Sequence, residues 1–175
     1  MLSILFHIFF KGIIKTWSQI EREIIISNNI QHNNKLVNIC MGNDWYNFPS
    51  HFFMNKSFRL QFIEQDFRGV LPQYFPPVNG TWVTPILPFN NLNKEESSRY
   101  IDPTTCDYIV LTQENASDVS HLTEFDLFVS NHTIQVLSNK IIDSSRSPMH
   151  TRAYYIPFVS LSKNKFKGYA LLKVI

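Results

Sequence analysis

Phe6, Phe10, Ile13, Trp17, Ile20 and Ile24 follow one another at intervals of 4, 3, 4, 3 and 4. That spacing is one stripe of an α-helix and is incompatible with the period-2 alternation of a strand. Lys11, Lys15, Ser18 and Arg22 fall on the other side. A helix with one apolar face must cover it, which limits the fold to arrangements that supply a covering. Two coverings are open from the sequence: the rest of the domain, or a membrane surface with Trp17 and the lysines at the headgroup level. The first turns, "LSILFHIFF", are apolar nearly all round. This uncharged run of nine residues falls well short of the about 20 that span a bilayer. It lacks the basic n-region and small-x-small cleavage site of a signal peptide. "SNNIQHNN", Ser27 to Asn34, then ends the periodicity.

Beyond this break the apolar residues switch to short extended runs. Leu36 to Met41 ends at Gly42 and reads as a strand. Phe58, Leu60 and Phe62 alternate with Arg59 and Gln61, the pattern of a half-buried strand. Tyr108 to Leu111 is a continuous apolar run suited to a central strand. Phe125 to Val129, Thr133 to Leu137, Tyr154 to Val159 and Tyr169 to Val174 are further strand candidates. Ile63 to Phe67 reads as one helical turn. Pro72 to Pro88, with five Pro and Asn79-Gly80, reads as a loop or loose hairpin. The expected fold is α+β and mostly β: a small antiparallel sheet or sandwich with an N-terminal amphipathic helix. The expected organisation is a membrane-proximal helix over 1–27, a polar linker over 28–35 and a β-rich domain over 36–175.

Composition narrows the function classes. The chain has 175 residues, 44% hydrophobic and 17% charged, with a net charge of +2. That is globular, and too weakly basic for a nucleic-acid partner, since no Lys/Arg run interleaves with aromatics. The six His are scattered and no metal-ligand spacing appears, so no metal is expected. Nucleophile elbows and Gly-rich phosphate loops are missing. Asp44, Glu64, Asp66, Glu95, Glu96, Asp102 and Asp107 supply carboxylates for a glycosidase-like pair, and read more simply as solvated or capping groups. Trp45, Tyr46 and Phe48 form either an aromatic platform for a sugar or part of the core. Arg99 and Asp102, in "SRYID", read as a loop ion pair beside Tyr100. Asn-x-Ser/Thr occurs at Asn55, Asn79, Asn115 and Asn131, a mild excess that hints at a lumenal or secreted chain. Cys40 and Cys106 allow one intramolecular disulfide in an oxidising compartment, or two small buried hydrophobes in the cytosol.

Five stretches in one order carry a resemblance: "ICMGNDWYNFPSHFF", "RLQFIEQDFRGVLP", "EESSRYIDPTTCDYIV", "DSSRSPMHTRAYYIPF" and "YALLKV". Together, over about Val37 to Val174, they resemble the C-terminal lumenal region of the alpha-1,2-mannosyltransferase family of asparagine-linked glycosylation in the endoplasmic reticulum. Asp44 stands where that family usually has Glu, and His51 where it has a second Ser. The resemblance implies a polytopic GT-C membrane enzyme of glycosyltransferase family 22. It uses no cofactor; mannose passes with inversion from dolichyl-phosphate mannose to a dolichol-linked oligosaccharide.

Inversion requires a carboxylate general base. The family's lies in its first lumenal loop, which nothing in this sequence matches, so no catalytic residue is carried over. The chain is expected to be a fragment, inactive alone, on the lumenal side of the endoplasmic reticulum membrane. Its implied partners are the membrane domain of the same enzyme, the dolichol-linked oligosaccharide, and the membrane surface through the N-terminal helix. Trp45, Tyr46, Arg68, Arg99, Tyr100 and Asp102 are the candidate glycan-facing or interface residues. A lumenal location implies that Cys40 and Cys106 are bonded, since the family has Cys at both places. The rival reading is a stand-alone carbohydrate-binding or interaction module without catalysis.

Overall fold

The computed structural model describes residues 2–28, 36–47, 51, 54–75, 78, 90–113, 124–154 and 156–175, with side chains from residue 13 onward in the first helix. Helix α1 spans Leu2–Asn28 and is followed by strands β1 (Val37–Met41) and β2 (Phe58–Phe62). Two 3-10 turns, Ser97–Arg99 and Pro103–Thr105, lead into β3 (Tyr108–Gln113). Helix α2 (Glu124–His132) runs directly into β4 (Thr133–Ile142); the short helices α3 (Met149–Ala153) and α4 (Ser160–Lys163) precede β5 (Phe166–Val174).

The strands form one sheet in the order β2-β1-β3-β5-β4. β1 pairs in parallel with both β2 and β3, whereas β5 is antiparallel to β3 and β4. The fold is α+β, as the sequence leads one to expect. Among the described residues, however, there is one sheet and it is mixed, so the expected antiparallel sheet or sandwich is corrected. Parallel pairing follows from the long connections after β1 and β2, which carry the chain back to the same end of the sheet.

Alternation along the strands divides the core in two. Val37, Ile39 and Met41 of β1, Tyr108 and Val110 of β3, and Tyr169 and Leu171 of β5 face α1. Ile13, Trp17, Ile20 and Ile24 complete that layer and are all buried. The helical stripe is thus covered by the sheet over this half of α1; Phe6 and Phe10 lie outside the described side chains. Each large side chain so buried contributes about 1.5–3 kcal/mol, so Ile20→Ala would cost about 2–5 kcal/mol. On the opposite face Cys40, Cys106, Ile109, Ala170 and Leu172 pack under Phe125, Phe128 and Val129 of α2. β1 and β3 are therefore covered on both faces, which is why "YIVL" shows no polar alternation.

Three element expectations are corrected. Phe125 to Val129 lies in a helix, because Phe125, Phe128 and Val129 at i, i+3 and i+4 dock one face on the sheet. Ile63 to Phe67 forms no helical turn: the Ile63 amide extends the β-pairing to the Met41 carbonyl (3.0 Å), and the Phe67 amide donates to the Asn43 side chain (3.1 Å). Tyr154 to Val159 is no strand. Pro157 has no N–H to donate, and the Ser160 hydroxyl holds this segment by donating to the Tyr154 carbonyl and accepting from the Ile156 amide. The expected linker after Asn28 and most of the Pro72 to Pro88 loop lie outside the described residues.

Candidate functional site

The three parallel strands β2, β1 and β3 end at the same edge of the sheet, and the loops leaving that edge surround a cleft of about 1010 Å³. Carboxyl ends of parallel strands commonly frame ligand sites in open sheets. Here the turn after β1 supplies Asn43, Asp44 and Tyr46; the loop after β2 supplies Glu64, Gln65, Asp66 and Arg68; the 3-10 region supplies Tyr100 and Asp102. Thr112, Lys167 and the first turn of α2, with Glu124 and Asp126, close the lining. Among the described residues, six acidic side chains thus line the cleft against two basic ones, Arg68 and Lys167.

Asp44 fixes the turn after β1. Its carboxylate is buried, accepts from the Asn47 amide group (2.8 Å) and from both the amide (2.8 Å) and hydroxyl of Thr112, and faces the Lys167 ammonium at 3.5 Å. A second anchor secures the far end of the turn. The Tyr169 hydroxyl donates to the Asn47 carbonyl (2.8 Å), and the Trp17 indole lies 3.3 Å from that carbonyl and 3.1 Å from the hydroxyl. Burial raises the Tyr169 phenol above its ordinary pKa, and the Asp44 charge adds to the rise. Gly42 permits the close approach of Gln65, whose side-chain oxygen accepts from the Asn43 amide at 2.6 Å; a Cβ there would meet that side chain.

This bracing separates the two aromatic candidates. Trp45 is turned inward, with its ring 5.3 Å from Phe67 and packed on the core. Tyr46 stands edge-on to Trp45, is 58% exposed and lines the cleft. In the same cleft the Arg68 guanidinium bonds Glu64 (3.0 Å) and Glu95 (2.8 Å), and the Tyr100 hydroxyl donates to Glu95 (2.9 Å). Burial and the Glu95 charge push the Tyr100 phenol up to about 12, so it remains a donor at neutral pH. Asp102 caps the Pro103–Thr105 turn by accepting from the Thr104 amide and hydroxyl, which hold its carboxyl below the usual range.

Of the six candidate residues, then, Tyr46, Arg68, Tyr100 and Asp102 come together in the cleft. Arg99 pairs with Glu96 (2.7 Å), not with Asp102, and lines a smaller pocket of about 230 Å³ with His51, Arg59 and Tyr74. Gln65, Thr112, Glu124, Asp126 and Lys167 were not legible as site residues. They arrive from separate elements, and only the acidic first turn of α2 carried a local signal. Cys40 and Cys106 are joined by a disulfide with a Cα–Cα distance of 5.9 Å, which ties β1 to the segment entering β3. Among the described sequons, Asn131 is exposed on α2, whereas Asn55 is half-buried and its side-chain oxygen accepts from the Ser57 amide; Asn79 and Asn115 lie outside the described residues.

The chain is similar to curated proteins named alpha-1,2-mannosyltransferase ALG9. The mouse and human proteins are each 36% identical over 142 residues, 78% of this chain and 22% of their own length. The protein of Caenorhabditis elegans is 33% identical over 163 residues, 86% of this chain and 26% of its own. The chain belongs to the alpha-1,2-mannosyltransferase ALG9 family. It spans about a quarter of the length of these relatives or less. No family model matches the chain, and no solved structure matches it. The "EESSRYIDPTTC" stretch is a self-bracing loop: Glu96 holds Arg99, Glu95 holds Tyr100, Asp102 caps a turn and Cys106 closes the disulfide. "DSSRS" is a second such knot, in which Asp143 accepts from Ser145 and Arg146 while Ser147 bonds the backbone of Lys165.

Proposed function

We propose that this chain is the part of an alpha-1,2-mannosyltransferase that holds the oligosaccharide of a dolichol-linked acceptor on the lumenal side of the endoplasmic reticulum membrane. The longer enzyme would take mannose from dolichyl-phosphate mannose, with the general base and lipid-binding spans lying outside this chain. The family membership and the short span of the relatives' length support that reading.

The observation that carries it is the composition of the cleft. Carboxylates accept hydrogen bonds from sugar hydroxyls, and Tyr46 and Tyr100 combine flat apolar rings with polar tips suited to pyranose faces. The excess of acid disfavours a phosphate and favours a neutral polyol. Among the described residues no three His, Cys, Asp or Glu side chains are placed to hold a metal ion.

Titration of the chain with a mannose-containing oligosaccharide, followed by amide chemical shifts, tests the proposal. Shifts should concentrate at residues 43–46, 64–68 and 100–104, and Tyr46→Ala should weaken binding roughly tenfold, the order of one lost aromatic contact. A titration that leaves those amides unmoved would overturn it.

A further inference from the structure

The α3–α4 segment has no role in the cleft, yet it exposes six large apolar side chains within thirteen residues: Met149, Tyr154, Ile156, Phe158, Val159 and Leu161. Phe158 is 93% exposed. Its backbone lies in the left-handed region (φ 65°), a strained conformation for a residue of this size. A concentration of exposed apolar side chains on one segment marks a surface that is covered in use.

Two further observations select the covering. The last 32 residues hold six of the sixteen Lys and Arg and none of the fourteen Asp and Glu, so the rest of the chain, with ten against fourteen, is net negative. Lys163 and Lys165, at the end of α4, are exposed. The second observation is the direction of α1. Trp17 meets Tyr169 near the start of β5, whereas Ser27 meets Tyr108, whose partner on β5 is Lys173 near its end. The helix therefore runs toward its N-terminus in the direction of the start of β5, where α4 has just ended, and it packs against α3 on the way. The N-terminal turns of α1, which carry "LSILFHIFF", lie toward this same end.

We propose that the Met149–Leu161 tip is a membrane-seating surface that inserts Phe158 and Leu161 into the interface of an anionic lipid leaflet, with Lys163 and Lys165 at its headgroups. Apolar side chains buried at the headgroup boundary and cations beside them are the two components of interfacial binding. The acid-lined cleft opens at this same end of the sheet, since Gln113 at the end of β3 pairs with Gly168 and Lys167 lines it, with its walls drawn from α2 and the loops after β1 and β2. The binding measured below involves no glycan, so its outcome is independent of the acceptor-holding reading.

The test is flotation of the full chain with phosphatidylcholine vesicles, with and without phosphatidylinositol. The double variant Phe158→Gly, Leu161→Ser should reduce vesicle binding at least about tenfold, from the loss of two interfacial apolar contacts. Glycine accepts the positive φ, so the melting temperature should not fall enough to explain the loss. Lys163→Gln with Lys165→Gln should weaken binding to phosphatidylinositol-containing vesicles several-fold and leave binding to phosphatidylcholine alone unchanged. A photo-crosslinking residue in place of Phe158, in the chain associated with microsomes, should form adducts with lipid. Wild-type flotation by the Phe158/Leu161 variant would overturn the proposal, as would crosslinks to protein alone, which would mark the tip as a docking site for another polypeptide.

Discussion

Asp44, in the turn after β1, reaches Thr112 on β3 and takes both its amide and its hydroxyl on one carboxylate oxygen. With Asn47 and Lys167 on the other oxygen, this contact sets the height of the cleft wall that presents Tyr46. Asp44→Ala would leave a buried amide, a hydroxyl and a half-buried ammonium without their acceptor. The expected cost is about 3 kcal/mol, read as a lower denaturant midpoint with an unchanged slope. Asp44→Asn keeps one acceptor and should cost less.

The Cys40–Cys106 disulfide closes a loop with a sequence separation of 66. Restricting that loop in the unfolded chain is worth about 4 kcal/mol in the chain-entropy treatment. Reduction, or the pair Cys40→Ala and Cys106→Ala, should lower the unfolding free energy by about that amount. The same stability with and without reductant would show that the bond does not constrain the chain.

Asp143 gives the fold an acid-sensitive point. Burial pushes its carboxyl pKa up, but the hydrogen bonds from Ser145 and Arg146 outweigh burial and hold it well below the usual carboxylate range. A depressed folded-state pKa contributes stability at pH values above the unfolded value of about 4, and that contribution is lost progressively as pH falls below it. Wild type should therefore lose stability more steeply than Asp143→Asn as pH is lowered from about 4. At pH 7 the variant should be less stable by about 2 kcal/mol. Parallel acid-unfolding curves for the two proteins would contradict this.

Exposure also ranks the described sequons. Asn131 is open on α2, whereas the Asn55 side chain is engaged with the Ser57 amide in its own turn. In a glycosylating host, Asn131→Gln should remove one glycan's worth of mass, and Asn55→Gln should leave the glycoform pattern unchanged. Mass spectrometry of the intact chain reads both.

Local spacing carried the α1 stripe, the period-2 alternation of β2 and the two-sided burial of β3. These are properties of one segment and its own periodicity, and they determined which side chains face inward wherever the segment lands. The helix at Glu124–His132 was also written locally, in the i, i+3, i+4 placement of Phe125, Phe128 and Val129 and the acidic first turn. A run this short satisfies either period on apolar content alone, and packing on the Cys40–Ile109 face decides the outcome.

Pairing partners and strand direction were not legible, because hydrogen bonds between β1 and β3 join residues about 70 positions apart and leave no mark on either segment's own pattern. For the same reason the sequence could name Tyr46, Arg68, Tyr100 and Asp102, but not that they share a cleft from which Arg99 is excluded. Only the parallel pairing of the strands brings the ends of β2, β1 and β3 to one edge. Asp44 then meets Lys167, 123 positions away, while Trp45 turns into the core and Tyr46 is left facing outward.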